Sequence, residues 1–339
     1  MKDYQLFIDG EWRDAHSGAW FDAINPFDGE VWCRIARADQ RDVDDAVSAA
    51  QRAFDSDGWG TSLASERAAL LRRAADILCR DAKRIAELEI RDIGKRIVES
   101  EPQIAGTADW LDYYAGLADK IEGSVIPLPR GDIFNYTLRE PLGVVAAITP
   151  WNYPISMITR KLGPALAAGC TVVLKPAEAT PMCAVEMMKI FEEAGVPPGV
   201  VNLVTASDPK PIGEVFTTHP AVAKLTFTGS TGVGKMLAAS AAGHIKRVSM
   251  ELGGHAPFIV CPDADPVHAA KGASLVKFLN TGQACISPNR FLVHESVYEP
   301  FVETLTARFN QLLQAGLVNG FASMGNEGLD DADSNPNND

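Results

Sequence analysis

The sequence contains one cysteine whose surroundings suit covalent chemistry. Cys285 lies in Asn280-Thr-Gly-Gln-Ala-Cys-Ile-Ser-Pro-Asn289, where small side chains would leave a sulfur accessible at a turn. A lone cysteine is more commonly a small, inert, buried hydrophobe, and the residues alone leave both readings open. Glu251 closes an apolar run in Met250-Glu-Leu-Gly-Gly254. A carboxylate there is costly to desolvate, which would raise its pKa and make it a candidate base; capping a turn is the alternative. Asn152, in Thr149-Pro-Trp-Asn-Tyr-Pro154, follows another strand-like run. Its amide could donate to a developing oxyanion or simply stabilise the turn.

Two further segments suit a nucleotide. Phe227-Thr-Gly-Ser-Thr-Gly-Val-Gly234 follows a strand-like run and opens a helix-like one, a context in which backbone N–H groups and the helix dipole favour phosphate. Ser230 or Thr231 can cap that helix. The glycines are spaced GxxGxG rather than GxGxxG, so a plain tight turn is an equal reading. Lys175 and Glu178, three apart in Val172-Val-Leu-Lys-Pro-Ala-Glu178, could hold ribose hydroxyls, as an acidic residue does in other dinucleotide folds. An exposed salt bridge is the alternative.

These residues need elements to position them. The segments 144–149, 171–174, 200–204, 224–228 and 247–251 are short and rich in β-branched residues, and helix-length stretches separate them. That alternation predicts an α/β fold with a doubly wound parallel sheet, whose ligands sit at the carboxyl ends of the strands. Before it, residues 4–38 read as extended and turn-rich, with turns at Asp9-Gly10 and Asp28-Gly29. Two amphipathic helices follow. Val43, Ala46, Val47, Ala50 and Phe54 share a face after an Asp39 N-cap, and Leu70, Leu71, Ala74, Ile77 and Leu78 do so after Ser65. The Arg and Asp residues opposite read as solvated surface. Residues 121–139 read as an extended hairpin, and Asn326–Asp339, acidic and nearly free of apolar side chains, is expected to be disordered.

Composition bounds the partners. With 339 residues, 46% of them hydrophobic, the chain can bury more than one core. A net charge of −13 argues against nucleic acid and anionic membranes, which call for clustered basic residues. The six cysteines are scattered without CxxC or metal-ligand spacing, a pattern of reduced thiols in a cytoplasm. No signal peptide is visible and no apolar run could span a membrane.

Taken in order, TPWNYP, LGPALAAGCTVVLKPAE, FTGSTGVG, MELGG and GQAC resemble the aldehyde dehydrogenase superfamily, over about residues 4 to 310. Glu251 precedes Cys285 by 34 positions (285−251), and Asn152 precedes Glu251 by 99 (251−152); both intervals fit. The resemblance implies a Rossmann-like cofactor domain at 1–120 and 140–252, a small oligomerisation hairpin at 121–139, an incomplete α/β catalytic domain at 253–316 and a tail at 317–339. It implies that Cys285 attacks an aldehyde carbonyl, that Asn152 and the Cys285 N–H hold the oxyanion, and that Glu251 activates the water that hydrolyses the thioester. Thr149, Pro150, Trp151, Lys175, Glu178, Gly229, Ser230, Thr231, Gly234 and Leu252 would hold NAD, with NADP possible. Glu178 favours NAD by repelling a 2′-phosphate. No metal is implied, and homo-oligomers are.

Within that family the segments 157–161 and 246–260 resemble the succinate-semialdehyde branch, in which Arg160 matches one substrate arginine. The other arginine, six positions before the nucleophile, is Leu279 here, and Ser287 replaces a common second cysteine. No E-x-F-G-P motif or final pairing strand is found, and after Ala307 the resemblance fades, as a truncation or reading-frame change would produce. Apolar stretches at 291–293 and 301–305 are therefore expected to lose partners and the chain to be poorly active. An inactive remnant that binds nucleotide or a full-length partner is the alternative, and a thiol acyltransferase a third, which would leave the nucleotide segments without a role.

Overall fold

The computed structural model describes residues 1–55 and 58–314. They form two compact units, Met1–Leu252 and Gly253 onward. The first begins with five short strands, β1 (Lys2–Tyr4), β2 (Leu6–Ile8), β3 (Glu11–Arg13), β4 (Trp20–Ile24) and β5 (Val31–Ala36). Helices α1 (Gln40–Asp55), α2 (Ala64–Ile93) and α3 (Ile97–Leu117) follow, then the hairpin β6 (Val125–Ile126) and β7 (Asn135–Tyr136). From there strands and helices alternate: β8 (Val144–Ile148), α4 (Pro154–Ala167), β9 (Thr171–Lys175), α5 (Met182–Glu193), β10 (Val201–Leu203), α6 (Lys210–Thr218), β11 (Val222–Gly229), α7 (Thr231–Ala242) and β12 (Arg247–Leu252).

The alternating strands pair in the order β12-β11-β8-β9-β10, all parallel. The chain runs outward from β8 through β9 to β10, then returns to the other side of β8 for β11 and β12. The strand order therefore reverses between β8 and β11, and a crevice opens beyond their carboxyl ends. The central strand β8 is apolar throughout because both faces are covered. Val145 and Ala147 point into a core made with α2, α4 and α5, while Val144 and Ala146 point into one made with α1, α6 and α7.

Three features depart from the sequence reading. The strands β2 and β3 extend the large sheet antiparallel beyond β10. Each spans three residues, too few for a periodic signal, although their Asp9-Gly10 turn adopts the positive φ values (57° and 81°) that the dipeptide suits. Helix α3 departs from the sequence reading because, although Ile104, Ala108, Leu111 and Ala115 line its inner face, Val98, Tyr113 and Leu117 stand exposed on it and blur the period. Finally, not all charges on α1 and α2 are solvated. Asp42, Glu89 and Asp92 are buried, as is Arg67, whose Nε donates to the Ala167 carbonyl at 3.0 Å.

The second unit contains β13 (Phe258–Val260), α8 (Pro266–Lys277), β14 (Phe291–Val293) and α9 (Tyr298–Gln314). The stretches expected to lack partners have them. Phe291–Val293 pairs in parallel with Phe258–Val260, and Phe301 is buried with Val260, Ala270, Ala273 and Val297. The outer face of this two-stranded sheet is open at Ile259 and Leu292. The tail at 317–339 lies outside the described residues.

Asp42 shows what a buried helix charge does here. Its Oδ2 accepts from the Asp39 N–H at 2.8 Å and its Oδ1 from the His16 N–H at 3.0 Å, while Asp39 Oδ1 accepts from Arg41 and Asp42. This is a reciprocal cap on α1. Asp42→Ala strands two amides and should cost about 1–3 kcal/mol, read as a lower urea midpoint with unchanged slope.

Candidate active site

The crevice beyond β8 and β11 is built from strand ends and helix starts. Residues 149–153 connect β8 to α4, and Pro154 takes the first position of that helix, where its missing N–H costs nothing. The Thr149 N–H donates to the Lys175 carbonyl at 3.1 Å, tying this turn to the end of β9. The Thr149 hydroxyl is buried and makes no hydrogen bond among the described residues. Pro150 and Asn152 are half-buried, and Trp151 is 46% exposed.

At the end of β9, Lys175 is buried and its Nζ donates to Glu178 Oε2 at 3.1 Å, while the Glu178 carboxylate faces solvent. The pair is the salt bridge of the second sequence reading, with the lysine fixed inside the fold. At the end of β11, Ser230 caps α7, its Oγ accepting from Val233 at 3.5 Å, and Thr231 begins the helix. A Cβ on Gly234 would lie 2.4 Å from Leu252 Cδ2, and one on Gly229 2.5 Å from the Phe227 ring. The turn is glycine-rich because α7 packs directly on β11 and β12. The α7 N–H groups open toward the crevice end of the sheet, as a phosphate requires.

Glu251 stands opposite Thr228 on β12. The strand is the sheet edge and largely exposed, and so is Glu251; the burial expected from its apolar neighbours is absent. A residue that the sequence reading passed over lies nearby. Lys161, on α4, reaches across to β11 and donates to Thr226 Oγ1 at 3.0 Å. Burial pushes its ammonium down to about 8, the Glu251 carboxylate pulls it up, and Lys224 pushes it further down. No sequence signal marks this lysine, since the Thr226 and Glu251 it faces come from other strands. Arg160, one residue earlier, is exposed with its guanidinium 4.5 Å above the Trp110 ring.

In the second unit, Cys285 is exposed on the turn from Ala284 to Ser287, closed by a 2.9 Å bond from the Ser287 N–H to the Ala284 carbonyl. The Ser287 hydroxyl donates to the Lys277 carbonyl at 3.0 Å and pins the turn to α8. Just before it, Asn280 and Thr281 adopt left-handed backbone (φ 51° and 58°). For a β-branched threonine this is strain of about 1–3 kcal/mol, the kind that accumulates at functional sites. Three other cysteines are worse nucleophiles: Cys170 and Cys183 are buried with thiols pushed up, and burial takes Cys33 to about 12. Among the described residues no three or more His, Cys, Asp or Glu are placed to hold a metal, and no helix is long and apolar enough to cross a membrane.

Comparison with known proteins agrees with this architecture. A dehydrogenase from Acinetobacter baylyi acting on (Z)-2-((N-methylformamido)methylene)-5-hydroxybutyrolactone is 44% identical over 94% of the chain and 64% of its own length. The mitochondrial succinate-semialdehyde dehydrogenase of Arabidopsis thaliana is 42% identical over 91% of the chain and 58% of its own. The crystal structure of succinate-semialdehyde dehydrogenase from Burkholderia pseudomallei superposes with a TM-score of 0.88 at 43% identity, covering 91% of this chain and 63% of that one. The chain thus spans less than two thirds of the length of these relatives. The model of the aldehyde dehydrogenase family matches residues 12–320, and the chain belongs to that family.

Proposed function

We propose that the chain carries the cofactor site and nucleophile of an enzyme that oxidises an aldehyde to its carboxylic acid with NAD(P)⁺. The observation that carries this reading is the reversal of strand order between β8 and β11, which puts the Asn152 turn and the Ser230 helix cap at one crevice. The residues fit a dinucleotide. The α7 N-terminus and Gly229 suit its phosphate, Lys175 and Glu178 suit the adenosine ribose, and the unbonded Thr149 hydroxyl is a ready donor or acceptor beside them. When bound, nicotinamide supplies a hydride acceptor.

The protein's own groups account for the remaining steps. The Cys285 thiolate adds to the aldehyde carbon, and the Asn152 amide with the Cys285 N–H stabilises the oxyanion. Loss of hydride from that carbon leaves a thioester on Cys285. Glu251 takes a proton from water, which attacks the thioester; the C–S bond breaks, releasing the acid and the thiolate. Lys161, an ammonium coupled to Glu251, is suited to steady that carboxylate as it acts. The semialdehyde names among the relatives, with Arg160 as the anion-binding group, point to a substrate with a terminal carboxylate. The exposed Val125, Phe134 and Tyr136 of the β6–β7 hairpin suit packing against a second copy, and a cytoplasmic setting suits six free thiols.

An assay of the purified chain with NAD and succinate semialdehyde tests this. Cys285→Ala should lower NADH production at least about 10³-fold, while retained turnover would remove Cys285 as the nucleophile. Nucleotide binding without turnover in the unmodified chain would instead support the inactive-remnant reading. In calorimetric titrations NAD should bind more tightly than NADP, and Glu178→Ser should narrow the gap; tighter NADP binding by the unmodified chain would overturn the role of Glu178. Lys161 makes a prediction independent of turnover. Its folded value of about 8 lies below the ordinary 10.5, so the charged form penalises folding fully below pH 8, and stability rises between 8 and 10.5 as the folded state sheds the proton first. Lys161→Met should therefore raise the urea midpoint most at pH 7, with the gain shrinking toward pH 10.5.

A further inference from the structure

Directly under the Asn152 turn lies a buried polar cluster that none of these steps uses. Lys95, in the short link between α2 and α3, has its side chain 1% exposed. Its Nζ sits 4.2 Å from the centroid of the Tyr153 ring, donates to Gln103 Oε1, and lies 3.7 Å from Glu89 Oε2. Gln103 passes the connection on: its Nε2 donates to Ser156 Oγ at 2.9 Å, and Thr107 Oγ1 lies 2.9 Å from the same oxygen. Tyr153 and Ser156 flank the first turn of α4. Tyr153 is its cap, with φ −136° and ψ 59°, and its carbonyl accepts the Met157 N–H at 3.0 Å. Asn152 is the residue immediately before.

A buried ammonium is costly unless its surroundings replace water. A link that only stapled α2 to α3 would need no more than the hydrogen bond that the Ser100 hydroxyl already donates to Glu89. Lys95 instead makes its hydrogen bond to Gln103 and places its charge over the Tyr153 ring, an arrangement that holds an aromatic face in one orientation. Burial pushes the Lys95 ammonium down and the Glu89 carboxyl up, and each opposes the shift of the other.

We propose that Lys95, acting with Gln103, is a positioning residue that fixes the Asn152–Tyr153 turn and thereby aims the Asn152 amide. This rests on the reading of Asn152 as an oxyanion donor. The link is direct, because the backbone of Asn152 is bonded to the residue whose ring the cation grips. A misplacement of about 1 Å in such a group can cost about a hundredfold in rate.

Hydrogen exchange of the whole 339-residue chain tests the idea without turnover. In Lys95→Met, peptides covering 150–158 should exchange about tenfold faster or more, peptides covering 70–88 and 104–115 should not change, and Lys95→Arg should restore protection. Because Lys95→Met leaves Glu89 unpaired, Lys95→Met/Glu89→Gln should be measured beside it and show the same localised loss. Unchanged exchange at 150–158 in the double variant, or equal acceleration throughout α2 and α3, would overturn the proposal. With an aldehyde and NAD, kcat should fall about ten- to a hundredfold with the KM for NAD unaltered, and Lys95→Met should add no further loss to Asn152→Ala. An additional loss there would overturn the route through Asn152. Full turnover in Asn152→Ala alone would overturn the oxyanion reading, with exchange still reporting on the turn itself.

Discussion

The parallel pairing of β8 with β9 on one side and β11 on the other organises the first unit. A parallel sheet covered on both faces has no solvent side, so side chains between its ends are mostly apolar, and polar groups gather at the rims. The alternation of Val144 and Ala146 with Val145 and Ala147 divides one strand between two cores. The polar residues of the candidate site follow from that constraint. Thr149 to Asn152, Lys175 to Glu178 and Gly229 to Thr231 come where three neighbouring strands leave the hydrophobic layer.

Electrostatics at that rim depends on what is buried. Glu251 lies on an exposed edge strand, whereas its neighbour Lys161 is the group moved by desolvation. The carboxylate stays in water and the cation beside it has the lowered proton affinity, so the two charges of one pair sit in different surroundings. Glu178 and Lys175 follow the same division, with the cation inside and the anion facing solvent. Lys95 and Glu89 differ, since both are buried; there the neighbouring Gln103, Ser100 and Tyr153 replace the missing water.

The second unit gives the cysteine a different support. Cys285 sits on a turn anchored to α8 through Ser287, after two residues held in left-handed backbone. Such a conformation persists only where packing over-determines it. Here the core of Val260, Ala270, Ala273, Val297 and Phe301 lies on one side of a two-stranded sheet and leaves Ile259 and Leu292 uncovered. The local geometry that exposes the sulfur is thus complete within this unit, although one sheet face has no partner among the described residues.

Much of this was legible in the residues. Runs of β-branched side chains separated by helical lengths specified a doubly wound sheet, Asp39 marked the start of α1, and small residues around Cys285 allowed an exposed turn without deciding it. These signals are local: a period, a cap or a turn dipeptide acts within a few residues. What the tertiary structure decided is pairing at long range. Phe7 joins the sheet beside Leu203, a match that three-residue strands cannot encode by pattern. Lys161 meets Thr226, and Lys95 meets Tyr153, because separate helices pack on one core. Whether a charge is solvated or buried is likewise a property of what packs over it, so Asp42 looked like surface in the sequence and proved to be interior.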